Sequence, residues 1–181
     1  SFVDFAEDGE NESLIIDDLI QEYSNLVIIK SISKSYGVPG IRLGVVVSSN
    51  KELLNKFRKE ISIWNINSFG EYFLQIIGKY QNQYVEACQI IREERDLLFN
   101  ELSKISFLIT YKSEANYFLC KVVNKYNSTQ LSEELISKNI YIKDLSNKIG
   151  FEKKEYIRVA VRDKKDNINL INILKELDMN E

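Results

Sequence analysis

The chain has 181 residues, 44% of them hydrophobic and 28% charged, with a formal net charge of -3. This is the composition of a folded domain or a piece of a larger one, not of a disordered segment. With 24 Lys and Arg against 27 Asp and Glu, it lacks the basic excess of a nucleic-acid binder. Histidine is absent, which excludes a self-contained Ser-His-Asp or Cys-His site and any His-bearing zinc site. Cys88 and Cys120 are too few for a four-Cys metal site and do not form a disulfide framework. No metal is expected. No apolar run approaches the roughly 18 residues that cross a bilayer, so no membrane partner is expected and a cytoplasmic setting is the default.

The chain opens without Met, on Phe2-Val3 and Phe5. These residues read as the tail of a strand, so a preceding segment is expected. Residues 12–23 read as a helix, with Leu14, Ile15, Leu19, Ile20 and Tyr23 at helical spacing. Leu26-Val27-Ile28-Ile29 is a short β-branched run, expected as a strand buried on both faces of a parallel sheet. Residues 31–40 are loop, and Ile41 to Val47 is a second apolar strand. Asn50 is placed to cap a helix running to Glu60.

Residues 68–103 carry the longest periodic signal. Phe69, Tyr72, Phe73, Ile76, Ile77, Tyr80, Tyr84, Cys88, Ile91, Arg95, Leu98 and Leu102 recur every three or four residues. This predicts one long amphipathic helix, or two joined, suited to a strut between two domains. Strands are then expected at Phe107–Tyr111 and Tyr117–Val123. Asn127, with Gln130 three residues on, predicts a capped helix ending near Lys138. Short strands are expected at Ile140–Ile142 and Tyr156–Val161, and a last helix over 164–177. The alternation of helix and strand gives an α/β fold class, with a small α+β unit at the C-terminal end.

The segment that carries chemistry is Ser31-Ile32-Ser33-Lys34-Ser35-Tyr36-Gly37-Val38-Pro39-Gly40-Ile41-Arg42-Leu43-Gly44. Hydroxyls flank one lysine, a Gly-x-Pro-Gly turn reverses the chain, and Arg42 stands at the mouth of the next strand. A turn of that length can bring Lys34 and Arg42 to one spot. A deprotonated lysine forms a Schiff base with an aldehyde, and arginine binds phosphate bidentately with hydroxyl help. Pyridoxal phosphate carries both groups. On residue types alone, a solvated lysine beside an ordinary turn fits the same pattern.

Ser-x-Ser-Lys-x-x-Gly-x-x-Gly-x-Arg-x-Gly resembles the cofactor-lysine motif of class I/II, fold-type I, pyridoxal-phosphate-dependent aminotransferases. Further segments resemble the same family in order. Ser1-Phe2-Val3-Asp4-Phe5 is similar to the end of its Asp-Glu-(Ala/Ser)-(Tyr/Phe)-x-(Asp/Glu)-Phe strand. Asn25 to Ile29 is similar to the strand before the lysine, and Trp64-Asn65-Ile66-Asn67 to its hinge. Ala115-Asn116-Tyr117-Phe118-Leu119 and Tyr156 to Arg162 resemble two small-domain strands. The nearest flavour is the histidinol-phosphate aminotransferase and threonine-phosphate decarboxylase branch.

The resemblance implies a pyridoxal 5'-phosphate cofactor and the C-terminal half of such an enzyme. Residues 1–67 would be the end of the large α/β domain, 68–103 the interdomain helix, and 104–181 the small α+β domain. Lys34 would be the catalytic lysine. Ser31, Ser33 and Arg42 would hold the cofactor phosphate. Arg158 would pair with the substrate carboxylate, Asn116 would lie beside the substrate, and Lys143 would meet its distal group. Arg162 would be structural. The implied partners are an amino-acid-like substrate, a 2-oxo acid and a second copy in a homodimer.

Three departures stand out. Phe2 occupies a place where many relatives have Tyr. Lys143-Asp144 stands where the branch has Arg-Asp, which keeps the charge and loses the planar fork, and so argues for a less demanding distal group than a phosphate. The first half of the family domain is absent, including an Asp expected two positions before Ser1, so these residues alone are expected to be inactive. Transamination is the first expectation. Decarboxylation of a phospho-amino acid and a non-catalytic dimerisation or binding module stand beside it.

Overall fold

The structure is a computed structural model that describes residues 2–8 and 13–179. Ser1 and Glu12, which the sequence assigns to a strand tail and a helix start, lie outside the described residues. The chain divides into two units, with the boundary between Cys88 and Gln89.

The first unit starts with a 3-10 turn, Val3–Phe5, and not with the strand tail expected. Phe5 N–H donates to the Phe2 carbonyl and Ala6 N–H to that of Val3, each at 3.0 Å. Local bonds that bury Phe5 and Ala6 displace an extended pairing. Helix α1 covers Asp17–Glu22 and is shorter than expected, because Leu14 and Ile15 are exposed and leave no apolar face to extend.

Strand β1 is Ile28–Ser31 and pairs antiparallel with β2, Gly44–Val47. Among the described residues the pairing is antiparallel, where the sequence reads a strand of a parallel sheet. The connection explains the pairing. Between the strands lie a single turn, α2 (Ile32–Ser35), and a 3-10 turn at Pro39–Ile41. Ile32 N–H bonds the Leu43 carbonyl at 3.1 Å, so the excursion returns where it left and the strands run opposite ways. The second strand starts at Gly44, not Ile41, because residues 39–41 are in that turn.

Helix α3, Lys51–Glu60, begins as expected with the Asn50 side chain accepting from Leu53 N–H at 2.9 Å. The long periodic stretch is two helices joined. Helix α4 is Ser68–Ile76, a 3-10 turn spans Ile77–Tyr80, and α5 is Gln81–Leu102. Asn67 caps α4 through Gly70 N–H.

In the second unit, β3 (Leu108–Thr110), β4 (Tyr117–Val122), β5 (Lys143–Asp144) and β6 (Tyr156–Ala160) form one antiparallel sheet in the order β3-β4-β6-β5. Helix α6 is Ser128–Ser137 and α7 is Lys164–Met179. Leu98 and Leu102 of α5, Leu131 and Leu135 of α6, and Leu170, Leu174 and Leu177 of α7 bury against Phe118, Cys120, Val122, Ile157 and Val159. All these sheet residues belong to one face. The strand expected at 140–142 is displaced to Lys143–Asp144. Ile140 N–H is taken by the Leu135 carbonyl at 2.8 Å, so residues 139–140 close α6. Asn139 makes that closure in the left-handed region, at φ 61.

Among the described residues no helix is long and apolar enough to cross a membrane, and no group of three or more His, Cys, Asp or Glu could hold a metal. The capping box at α6 is complete: Asn127 accepts from Gln130 N–H at 2.8 Å, and the Gln130 side chain accepts from Asn127 N–H at 3.1 Å. Asn127→Ala is therefore expected to cost about 1 kcal/mol in equilibrium unfolding, and Asn127→Gly only a few tenths. Equal losses for the two variants would show that the side-chain cap is not the source.

Candidate active site

In the first unit, Lys34 lies on the exposed side of the α2 turn. Its Nζ sits 5.2 Å from the centroid of the Phe2 ring, in the range of a cation–π contact. The neighbouring hydroxyls point the other way. Ser33 is buried and its Oγ donates to the Leu43 carbonyl at 3.4 Å. The turn thus closes on itself through a hydroxyl that the resemblance assigns to phosphate, and Ser33 reaches a ligand only by turning away from Leu43. Ser31 ends β1 and is half-buried.

Arg42 closes the turn from the far side. It is exposed, and its Nη1 donates to the Pro39 carbonyl at 3.2 Å. Its backbone is left-handed, at φ 60. That conformation costs a non-glycine residue about 1 to 2 kcal/mol. Strain of this kind collects at ligand-binding positions, where a side chain must be presented at a fixed angle. Gly37, at φ 65, makes the other left-handed bend of the excursion.

Behind this turn is a polar cluster. The Asp4 carboxylate accepts from Lys30 Nζ through Oδ1 at 2.6 Å and from the Tyr84 hydroxyl through Oδ2 at 2.8 Å. Burial pushes the Asp4 carboxyl up, but the bonds from Lys30 and Tyr84 outweigh it and hold the carboxyl below its usual range. The buried Ser35 hydroxyl lies close enough to favour the charge without a hydrogen bond of good geometry. Burial, with the Asp4 carboxylate beside it, pushes the Tyr84 phenol far up. The Tyr84 ring stacks on Tyr36 at 3.9 Å and 8°, and Tyr36 meets Phe73 edge-on at 6.2 Å. The sequence reading missed this cluster. The available signal was Tyr84 itself, since a tyrosine on an apolar helical stripe needs a partner for its hydroxyl.

In the second unit, the sheet face opposite the helices carries the other candidates. Arg158 of β6 is exposed and lies directly across from Lys143 of β5 and from Leu119 of β4. Opposed residues of antiparallel strands share a face, so the two basic residues leave the sheet on the same side. Like charges placed this way repel. Among the described residues no carboxylate pairs with either. The Arg158 guanidinium instead lies 5.1 Å from the centroid of the Tyr117 ring. Asp144, next to Lys143, is occupied with the Thr129 hydroxyl at 2.8 Å and with Ser146.

Asn116 is half-buried at the entry to β4, and its carbonyl accepts from Val161 N–H at 2.9 Å. Arg95 of α5 braces that entry. It is 2% exposed, donates to the Glu114 carbonyl at 2.9 Å, and approaches the Glu114 carboxylate at 3.5 Å. Arg162 pairs with Asp166 of α7 at 2.5 Å.

The residues fit pyridoxal phosphate in part. An exposed primary amine and an exposed guanidinium flank one turn, which suits an aldehyde and a phosphate on the same ligand.

Comparison with known proteins agrees with this chemistry. The profile described as aminotransferase class I and II matches residues 2–174. An L-serine phosphate decarboxylase of Campylobacter jejuni is 34% identical over 172 residues, covering 92% of this chain and 43% of that protein. A histidinol-phosphate aminotransferase of Clostridium novyi is 30% identical over 158 residues, covering 87% of this chain and 42% of that protein. The crystal structure of the histidinol-phosphate aminotransferase of Clostridium acetobutylicum superimposes with a TM-score of 0.87 at 31% identity, over all of this chain and 53% of that one. The chain thus spans about half the length of the proteins it matches. Its fold is that of part of a fold-type I enzyme, and the family uses pyridoxal phosphate. The chain belongs to the class I and II aminotransferase family of pyridoxal-phosphate-dependent enzymes.

Proposed function

We propose that the chain is part of a pyridoxal-phosphate-dependent aminotransferase that moves an amino group from a small acidic amino acid to a 2-oxo acid. The observation that carries this reading is the α2 turn, where Lys34 alone of its neighbours offers an exposed amine and Arg42 is strained into place beyond it. Lys34 binds the cofactor aldehyde and later carries a proton at the substrate α-carbon. Arg42 and Ser31 hold the phosphate, joined by Ser33 once its hydroxyl leaves Leu43. The cofactor supplies an electron sink for the substrate carbanion.

Arg158 takes the substrate carboxylate with its planar fork, and Asn116 lies beside the substrate. Lys143 takes a second acidic group. Two adjacent cations suit two anionic groups at short separation, and binding such a ligand turns their repulsion into attraction. One relative supports a small acidic amino acid as substrate, since it is named for serine phosphate. The domain ranges 1–67, 68–103 and 104–181, a homodimer and a cytoplasmic setting belong to the same proposal.

A second reading is decarboxylation of a phospho-amino acid. It is favoured by the identity of 34% to a decarboxylase. Product analysis separates the two readings. The full-length protein, loaded with cofactor, would be given aspartate, glutamate, O-phosphoserine and O-phosphothreonine with and without a 2-oxo acid. Stoichiometric new amino acid is the expected result. Carbon dioxide release without a 2-oxo acid would establish the second reading instead.

Borohydride reduction and peptide mapping of the same protein should place the pyridoxyl group on Lys34, and a label confined to other lysines would overturn the assignment. Lys143→Met should lower kcat/KM for the acidic substrate about tenfold to a hundredfold, as loss of a charge-assisted hydrogen bond of about 1.5 to 3 kcal/mol implies. Its effect on a neutral amino acid should be small. Equal losses on both would remove Lys143 from the substrate site.

A further inference from the structure

Asp4 does something that neither the comparisons nor the cofactor chemistry assigns. One carboxylate uses both its oxygens on side chains from distant parts of the first unit, Lys30 on β1 and Tyr84 on α5. It is carried by the 3-10 turn Val3–Phe5, whose backbone bonds run from Phe5 and Ala6 back to Phe2 and Val3. The same short segment presents the Phe2 ring to Lys34 Nζ. Tyr84 in turn stacks on Tyr36, which immediately follows the α2 turn that carries Lys34. Asp4 is therefore linked to Lys34 by two routes: through the segment that carries Phe2, and through Tyr84 to Tyr36, the residue that follows the α2 turn.

Geometry makes this arrangement stiff. The Lys30–Asp4 pair is mostly shielded, with side-chain exposures of 22% and 15%, so it keeps strength that a surface pair loses to solvent. The Tyr36–Tyr84 stack is nearly parallel, which leaves little freedom to slide without loss of contact. A lysine side chain has four rotatable bonds, and its amine must sit within a fraction of an ångström of its target to react. On an exposed turn, nothing else among the described contacts limits those bonds.

We propose that Asp4 is a positioning residue for Lys34: by joining Lys30 and Tyr84 it fixes the segment that sets Phe2 against the lysine ammonium and the stack that holds the lysine's turn. The proposal rests on the reading of Lys34 as the reactive amine.

The experiment uses the full-length protein in five forms: unchanged, Asp4→Asn, Asp4→Glu, Tyr84→Phe and Lys34→Ala. In the cofactor-free protein, competitive acylation with a trace of acetic anhydride is read by mass spectrometry at Lys34 relative to the exposed Lys56 of α3. Release from Phe2 removes a cation–π contact of about 0.5 to 1 kcal/mol, so acylation at Lys34 should speed up about two- to fivefold in Asp4→Asn. In the loaded protein, the same variant should lose kcat by about ten- to a hundredfold, as misplacement of a reacting group implies, with KM little changed. Tyr84→Phe keeps the stack and loses one bond, so both effects should be smaller and in the same direction. Asp4→Glu, which restores the carboxylate, should recover most of each.

Unchanged Lys34 acylation and unchanged kcat in both Asp4→Asn and Tyr84→Phe would overturn the proposal. If Asp4→Asn does not fold, Tyr84→Phe decides alone. A rise in acylation at Lys34 and Lys56 together would show general loosening and would also overturn it. The Lys34→Ala form separates this outcome from a failure of the underlying reading. If it keeps full activity, then Lys34 is not the reactive amine and the function proposed above falls, whatever the other variants do.

Discussion

A β-strand has only two faces, and in β6 that constraint assigns the core and the candidate site together. Ile157 and Val159 are buried against three helices, so Arg158 between them must face away from the core. Cross-strand register then places Lys143 at its side, whatever the electrostatic cost. The energy that holds the two cations together comes from the opposite face. Seventeen buried side chains form that core. At about 1.5 to 3 kcal/mol for each large apolar side chain buried, it outweighs one repulsion between solvated charges. The pairing of these two basic residues is a by-product of a well-made hydrophobic layer.

The first unit solves a different problem. Its candidate amine stands on a single turn, α2, between two buried serines. The turn is fastened by polar groups: Ile32 and Ser33 bond the Leu43 carbonyl at its neck, Arg42 bonds Pro39, and Asp4 with Tyr84 and Tyr36 braces its back. Hydrogen bonds are directional where apolar contact is not, so they fix an angle as well as a position. That suits a lysine whose direction matters. It also explains why the residues beside Lys34 differ so sharply in exposure: Ser33 and Ser35 are buried and Lys34 is not.

Much of this was legible in the sequence, and the reasons are local. Helices α3 and α6 follow from Asn50 and from Asn127 with Gln130, because a cap is a contact between residues three apart. Strands β3, β4 and β6 lie close to where the sequence predicts them. The lysine turn was visible as an ordered motif. What stayed hidden depends on residues far apart in the chain. Asp4 and Tyr84 meet across 80 positions, and nothing in either neighbourhood announces the other. The direction of β1 was misjudged for the same reason. An apolar run of four residues reads alike in a parallel or an antiparallel pair, and only the bond from Ile32 to Leu43 settles which it is. The displacement of β5 to Lys143 also escaped, since it turns on where α6 takes its last carbonyl partner.

The paired cations bear on which reaction such a site would run. A dianionic amino acid can approach two neighbouring positive groups in either orientation. Under the proposed function, which of the two orientations is taken would decide which bond of the α-carbon is set for cleavage. Two arginines would accept both almost equally, because each fork matches either a carboxylate or a phosphate. Arg158 beside Lys143 breaks that symmetry. The fork gains most from a planar carboxylate, while the lysine offers a point charge that is indifferent to the shape of the other group. A difference of 1.4 kcal/mol between the orientations gives a tenfold preference. Under the proposed function, the departure from Arg-Asp to Lys143-Asp144 would therefore act on orientation as well as on affinity, and would favour the substrate carboxylate on Arg158.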